Sequence, residues 1–257
     1  MCAPRRARTA PDISAIHAST LAAYCAFYDE TITPSCVEHG QGLRVTVRTR
    51  QRPRYRGVSH RFACYAALGA GVVLVACARD ALARTAGIVY VALLATMFGV
   101  SATLHRADWP SRLYGHLRRA DHAAIFLCIA GTYTPFSLLG LGGEAGMKLL
   151  VLAWTACGIG VLRAVLWPHA PRAITSACFV AAGWVALAYM PELRAAIHPT
   201  TFALIVVGGA IFTVGAFIYL TRWPDPWPAT FGYHEVFHLV IIAGCAAHFA
   251  AVARLAC

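Results

Sequence analysis

From Phe62 onward the chain is written in seven long apolar stretches, roughly 62–79, 86–105, 122–141, 147–167, 173–191, 201–220 and 231–253, parted by short polar connections. Each is about 18–23 residues long. At ~1.5 Å of rise per residue, a helix of that length crosses a hydrocarbon core of ~30 Å. Core helices of a soluble bundle need a polar face, and these runs lack one. The pattern predicts an all-α fold, a bundle of seven transmembrane helices. The connections carry helix breakers: Asp108-Trp109-Pro110, Gly142-Gly143, Trp167-Pro168-His169 and the stretch from Trp223 to Pro228. Several of these tryptophans fall where an interfacial aromatic belt is expected.

Residues 1–55 read differently. They are polar and Arg-rich, with no sustained periodicity, and no apolar stretch of signal-peptide length follows Met1–Arg8. A mobile cytoplasmic extension is expected there rather than a cleaved signal. Within it, Ile13–Phe27 has the pattern of a short amphipathic helix. The chain therefore divides into an extension, 1–55, and a membrane domain, 56–257.

Charge changes the picture by its placement. Lys and Arg number 22 against 11 Asp and Glu, a formal net charge of +11. Arg44, Arg48, Arg50, Arg52, Arg54, Arg56 and Arg61 crowd ahead of the first span with no acidic residue among them. A basic block abutting a hydrophobic span marks a cytoplasmic flank and suits anionic headgroups; no nucleic-acid partner is expected. With the N-terminus inside, the inner flanks add Arg106, Arg112, Arg118, Arg119, Arg163, Arg172 and Arg222, and the outer flanks hold Arg79, Arg84, Lys148, Arg194 and Arg254. The asymmetry predicts a cytoplasmic N-terminus and an outer C-terminus, in a multi-pass protein of a bacterial inner or plasma membrane. The ten cysteines form no C-x-x-C spacing. Cys64, Cys77, Cys128, Cys157, Cys178 and Cys245 lie within apolar runs and are expected to be small buried apolar residues.

Ionisable groups in or beside such spans are costly in lipid and usually face the protein interior. Ser101 and His105 are four apart at the end of the second span, so a helix puts them on one face. Asp121 opens the third span, and His234 and His238, again four apart, open the seventh. An alternating seven-helix array brings these three places to one side, the cytoplasmic one in the orientation above. Three neutral imidazoles and a solvent oxygen make a four-coordinate zinc centre whose open position is the catalytic pattern. Asp121 would then deprotonate the bound water, and Ser101 would orient the site or donate to a developing oxyanion. His234-Glu235-Val236-Phe237-His238 also matches H-E-x-x-H, the zincin motif with Glu as base. That reading lacks a distant Asp ligand, and Glu235 has a simpler role at the dipole of a helix start. His122 is expected to pack or to stand behind the site, and His248 lies too far along its helix to share the metal of His238. His60, His116, His169 and His198 are expected to be solvated. Thr132-Tyr133-Thr134-Pro135 predicts a kink, or else a cavity wall for substrate.

These residues resemble the hemolysin III family, the bacterial branch of the progestin and adipoQ receptor (PAQR) membrane proteins. The resemblance covers about residues 53–253. Its motifs stand here as Ser101-x-x-x-His105, as Arg118-Arg119-x-Asp121-His122 leading to Ala130-Gly131-Thr132-Tyr133-Thr134-Pro135-Phe136, and as Gly232-Tyr233-His234-Glu235-x-Phe237-His238 followed by His248-Phe249. Leu104 departs from the tyrosine the family often places before the histidine. The resemblance implies a seven-helix fold with zinc on the cytoplasmic side, held by His105, His234 and His238, with Asp121 holding the zinc-bound water and Ser101 nearby. It also implies kinship with alkaline ceramidases and adiponectin receptors. The expected activity is metal-dependent hydrolysis of lipid amides or esters reached from the bilayer. The alternatives are a non-catalytic sensor of membrane composition and the cytolysin of the family name.

Overall fold

The computed structural model describes the backbone of residues 32–39 and 42–49 and the whole of residues 53–257. Two compact units divide the chain, Met1–Arg52 and Pro53–Cys257. In the first, β1 (Ile32–His39) pairs antiparallel with β2 (Gly42–Thr49), from Ile32 opposite Thr49 to His39 opposite Gly42. In β2, Leu43, Val45 and Val47 alternate with Arg44, Thr46 and Arg48, the period of a strand. Sequence reasoning assigns no element to this stretch, because its arginines mask the alternation. The amphipathic helix expected over Ile13–Phe27 lies outside the described residues.

The second unit is built from helices: α1 (Val58–Cys77), α2 (Ala81–Arg106), α3 (Ser111–Pro135) continued by a π-helical segment (Phe136–Leu141), α4 (Gly143–Leu166), α5 (Arg172–Gly183), a 3-10 stretch (Val185–Tyr189), α6 (Met190–Ala196), α7 (Pro199–Thr221) and α8 (Tyr233–Ala256). With α3 joined to its π continuation and α5 to α6, seven spans are long and apolar enough to cross a membrane. Large apolar side chains such as Phe62, Val72, Ile159, Leu166 and Phe217 stay exposed, as a lipid-facing surface requires. The predicted runs match these spans, with one useful difference. The third helix begins at Ser111, so Asp121 sits ten residues, ~15 Å, inside it rather than in its first turn.

Helices adjacent in sequence pack side by side, and α8 returns against both α1 and α2. That closure brings the start of α8 to the end of α2 and the start of α1. Small residues permit the close approach. A Cβ at Gly160 of α4 would lie 2.3 Å from the Phe126 ring of α3, and one at Gly208 of α7 would lie 2.2 Å from His248 of α8. The central apolar cluster draws Leu74 from α1, Tyr90, Leu94 and Phe98 from α2, Cys128 from α3 and Val252 from α8.

Side chains of the third helix make hydrogen bonds at the breaks in two spans. Pro135 cannot donate to the turn before it. The carbonyl it leaves is that of Gly131; in the turn beside it Thr132 Oγ1 donates to the Cys128 carbonyl at 2.8 Å and Thr134 Oγ1 to the Ala130 carbonyl at 3.0 Å. Tyr133 serves the neighbouring break instead. Its hydroxyl donates to the Gly183 carbonyl at 2.6 Å and accepts from the Ala186 N–H at 3.0 Å, where α5 gives way to the 3-10 stretch. At the opposite end of the bundle from the histidines, Asp80 caps α2 by accepting from the Ala83 N–H at 2.7 Å, which helps hold its carboxyl below the ordinary range. A disulfide joins Cys77 to Cys257 at that end. The expectation that Cys77 is a small buried apolar residue is corrected: it is exposed and disulfide-bonded. Cys128, Cys157 and Cys245 are free and buried, as expected, and Cys64 and Cys178 are free and half-buried.

Candidate metal centre

His105 closes α2, and His234 and His238 occupy the first and second turns of α8. The four-residue spacing puts His234 and His238 on one face, and the return of α8 against α2 turns that face toward His105. The ring centroids are 4.6 Å apart for His105–His234, 5.1 Å for His105–His238 and 4.5 Å for His234–His238. His234 Nε2 lies 3.2 Å from His105 Nε2. One nitrogen from each ring falls within 4.8 Å of the others. Two nitrogens on one tetrahedral zinc stand ~3.3 Å apart, given Zn–N bonds of ~2.0–2.1 Å, so this pair already has the spacing a shared ion imposes. His234 and His238 are buried and His105 is half-buried, and three imidazole nitrogens so placed are a donor set that suits zinc.

Ser101 and Asp121 are both buried, and the Ser101 hydroxyl bonds the Asp121 carboxylate. Because Ser101 precedes His105 by one helical turn, this bond ties α3 to the ligand-bearing end of α2. Asp121 does not belong to the group of mutually close ligand atoms, which consists of the three imidazoles.

Glu235 is occupied elsewhere. Its Oε2 accepts from the Gly232 N–H at 2.8 Å, capping α8, and its Oε1 accepts from Arg56 Nε at 2.6 Å. With both oxygens spent on the helix start and on the segment leading into α1, it is not placed as the general base of a zincin.

His60 departs from expectation. It is buried, and its ring stacks on His238 with centroids 3.8 Å apart and planes 9° from parallel, its other flank against Phe98. A parallel ring cannot point its nitrogens at a point in the plane of His238, so His60 walls His238 and stands outside the group of three imidazoles that could hold a metal. The topological argument that gathers the other histidines also covers His60, because α1 starts on the side where α2 ends. Gly57 fits against the site in a second way. With φ at +73°, a Cβ there would lie 2.9 Å from the Cβ of His105.

The remaining histidines follow the sequence reading. His122 packs edge-on against Phe179. His248 lies between Phe136 and Phe212 and pairs with the Ile205 carbonyl at 3.0 Å. His116, His169 and His198 are exposed.

Residues 48–249 match the family described as "Haemolysin-III related". The chain is 32% identical to "Hemolysin-3" of Bacillus cereus over 129 residues, which cover 50% of this chain and 56% of that protein. It is 29% identical to "Hemolysin-3 homolog" of Bacillus subtilis (strain 168) over 161 residues, 60% of this chain and 73% of the relative. Against "Heptahelical transmembrane protein ADIPOR2" of Oryza sativa subsp. japonica it is 28% identical over 181 residues, 61% of this chain and 76% of the other. The match to the first of these thus spans little more than half of that relative's length.

Proposed function

The chain belongs to the hemolysin III family within the PAQR group, and from that premise we propose that it is a zinc-dependent hydrolase of lipid amides or esters. His105, His234 and His238 hold the metal, and Asp121 handles the proton. The observation that carries this reading is the convergence of three imidazole nitrogens within 4.8 Å of one another. Three protein ligands leave a tetrahedral ion one position short, the pattern of catalytic sites. When bound, zinc supplies Lewis acidity that polarises a carbonyl and acidifies water.

The chain's own residues do the rest. Asp121 takes a proton from the attacking water as its oxygen bonds the carbonyl carbon, and returns it to the departing amine or alkoxide as the C–N or C–O bond breaks. Ser101, bonded to that carboxylate, fixes its orientation. His60 stacks on His238 and Gly57 abuts His105, so two ligands are braced by the entry to α1. The lipid arrives from the bilayer with its scissile bond near the membrane surface. This end of the bundle faces the cytoplasm, with the N-terminus inside and the end of α8 outside.

The test is a pair of variants in purified, zinc-loaded protein. His238→Ala is expected to lose bound metal and all lipid turnover. Asp121→Asn is expected to keep stoichiometric metal and lose turnover by roughly 100-fold or more, the scale of general-base catalysis. An untargeted comparison of lipids incubated with wild-type and His234→Ala protein supplies the substrate. Full turnover in Asp121→Asn would remove Asp121 from the chemistry. Metal without any lipid turnover would leave the ion as a pin between α2 and α8.

A further inference from the structure

A second polar constellation lies at the same end of the bundle, where α3, α4 and α5 meet. Arg163 stands in the last turn of α4, and its Nη1 donates to Thr175 Oγ1 of α5 at 3.1 Å. Its guanidinium carbon sits 5.7 Å from the centre of the Phe126 ring of α3. The other edge of the fork, Nε and Nη2, is buried and makes no hydrogen bond among the described residues. Ser176, next along α5, is 5% exposed, and its hydroxyl is likewise buried and unpartnered.

Among the described residues, no carboxylate hydrogen-bonds this cation. Between Asp121 and Asp225 the only acids are Glu144 and Glu192. Glu144 opens α4 nineteen residues before Arg163, ~28 Å away along the helix, and pairs with Lys148 at 2.7 Å. Glu192 sits in α6, past the break in the fifth span. Asp121 is bonded to Ser101. It also points ~140° around α3 from Phe126, away from Arg163. Positive charge accumulates instead. Among the described residues Arg118 Nη1 is buried without a hydrogen bond, although Asp121 lies within reach of its charge. His169, in the loop after α4, is held below its ordinary pKa by partial desolvation and by the charges of Arg118 and Arg119.

A basic residue at a helix C-terminus complements the dipole, and an arginine near a membrane surface commonly turns its head to water. Neither habit explains two buried N–H groups on one edge of the fork. Intramembrane cations are ordinarily paired. Nε and Nη2 are the adjacent donors that grip two oxygens of one phosphate.

We propose that Arg163 and Ser176 form a binding site for a phosphate oxyanion, presented by an anionic phospholipid headgroup lodged between α3, α4 and α5. Basic pockets between helices on the cytoplasmic side are where such headgroups bind. The site is separate from the imidazoles and stands or falls without them.

The experiment measures thermal unfolding of the full chain in maltoside micelles titrated with phosphatidylglycerol, with diacylglycerol of the same chains, or with inorganic phosphate. Phosphatidylglycerol is expected to raise the midpoint saturably and diacylglycerol to leave it unchanged. Arg163→Gln should weaken the phosphatidylglycerol response roughly tenfold or more, the scale of a charge-assisted hydrogen bond. Arg163→Lys, which keeps the charge without the fork, and Ser176→Ala should weaken it less. Should Arg163→Gln fail to fold, these two carry the test. Metal content is measured alongside, and wild-type levels in the variants confirm an intact bundle. An equal response to inorganic phosphate would keep the oxyanion site and assign it to the free ion. A phosphatidylglycerol response that is the same in wild type and in folded variants, or none in wild type, overturns the proposal.

Discussion

Gly57 turns the chain into α1 with φ at +73°, pressed so closely on His105 that any side chain there would meet its Cβ at 2.9 Å. Gly142, with φ at +66°, has open space around the same position. Alanine is strained at both, and more so at Gly142, whose φ of 66° and ψ of −179° lie in a region essentially reserved for glycine, but only Gly57 touches His105. If the three imidazoles hold zinc as proposed, Gly57→Ala is expected to weaken its binding roughly tenfold, as loss of a ligand's outer support does, while Gly142→Ala lowers stability alone. Competition titration against a metallochromic chelator separates them, and equal affinities would show that His105 does not depend on the contact. At this scale the sequence is legible where helical spacing speaks. Ser101 with His105, and His234 with His238, are four apart, so each pair shares a face wherever the helix is placed. Gly57 and His60 stay silent because their role is a contact across chains of residues far apart: a stacked ring 3.8 Å from His238, and a missing side chain beside His105. Position alone offered a hint for His60, since it begins the span that starts beside the other histidines.

Among the elements, hydropathy finds the spans and misses their interruptions. The run predicted over 173–191 is α5, a 3-10 stretch and α6 in succession, all of it apolar, so nothing in the averaged pattern marks where hydrogen bonding changes. The third helix begins eleven residues before the apolar run at 122, in a stretch where Leu113, Tyr114 and Leu117 are interleaved with Arg112, Arg118 and Arg119, helical and still polar. Tyr133, near the far end of the third helix, serves the first of these irregularities. Its hydroxyl is both donor to the Gly183 carbonyl and acceptor from the Ala186 N–H. In lipid no water replaces it. Tyr133→Phe keeps the ring and removes only that oxygen, so it is expected to cost ~1–3 kcal/mol by leaving buried backbone groups unsatisfied. The loss is read as a lowered unfolding midpoint in detergent with metal content unchanged. An unshifted midpoint would mean the break in the fifth span is satisfied without Tyr133.

For the molecule as a whole, the two ends of the bundle differ in chemistry as well as charge. One end gathers the imidazoles, Asp121 and the arginines of α3, α4 and α5; the other holds Asp80 and the Cys77–Cys257 bond. The pairing spans a separation of 180 residues, which no spacing rule can read from sequence. It becomes intelligible only once α8 has closed back on α1. Disulfides persist in oxidising compartments and are rare where thiols are kept reduced. The bond therefore favours the proposed orientation, with this end outside, which is also the end that the arginine asymmetry leaves poor in positive charge. In intact cells, a membrane-impermeant reductant followed by an impermeant maleimide is expected to label Cys77 and Cys257. A cysteine introduced as Ser111→Cys, at the exposed start of α3 on the histidine end, should be labelled only after the membrane is permeabilised. Labelling of Ser111→Cys from outside, with Cys77 and Cys257 protected, would invert the molecule and place the imidazoles toward the exterior, where the metal would be drawn from the medium rather than from the cytoplasm.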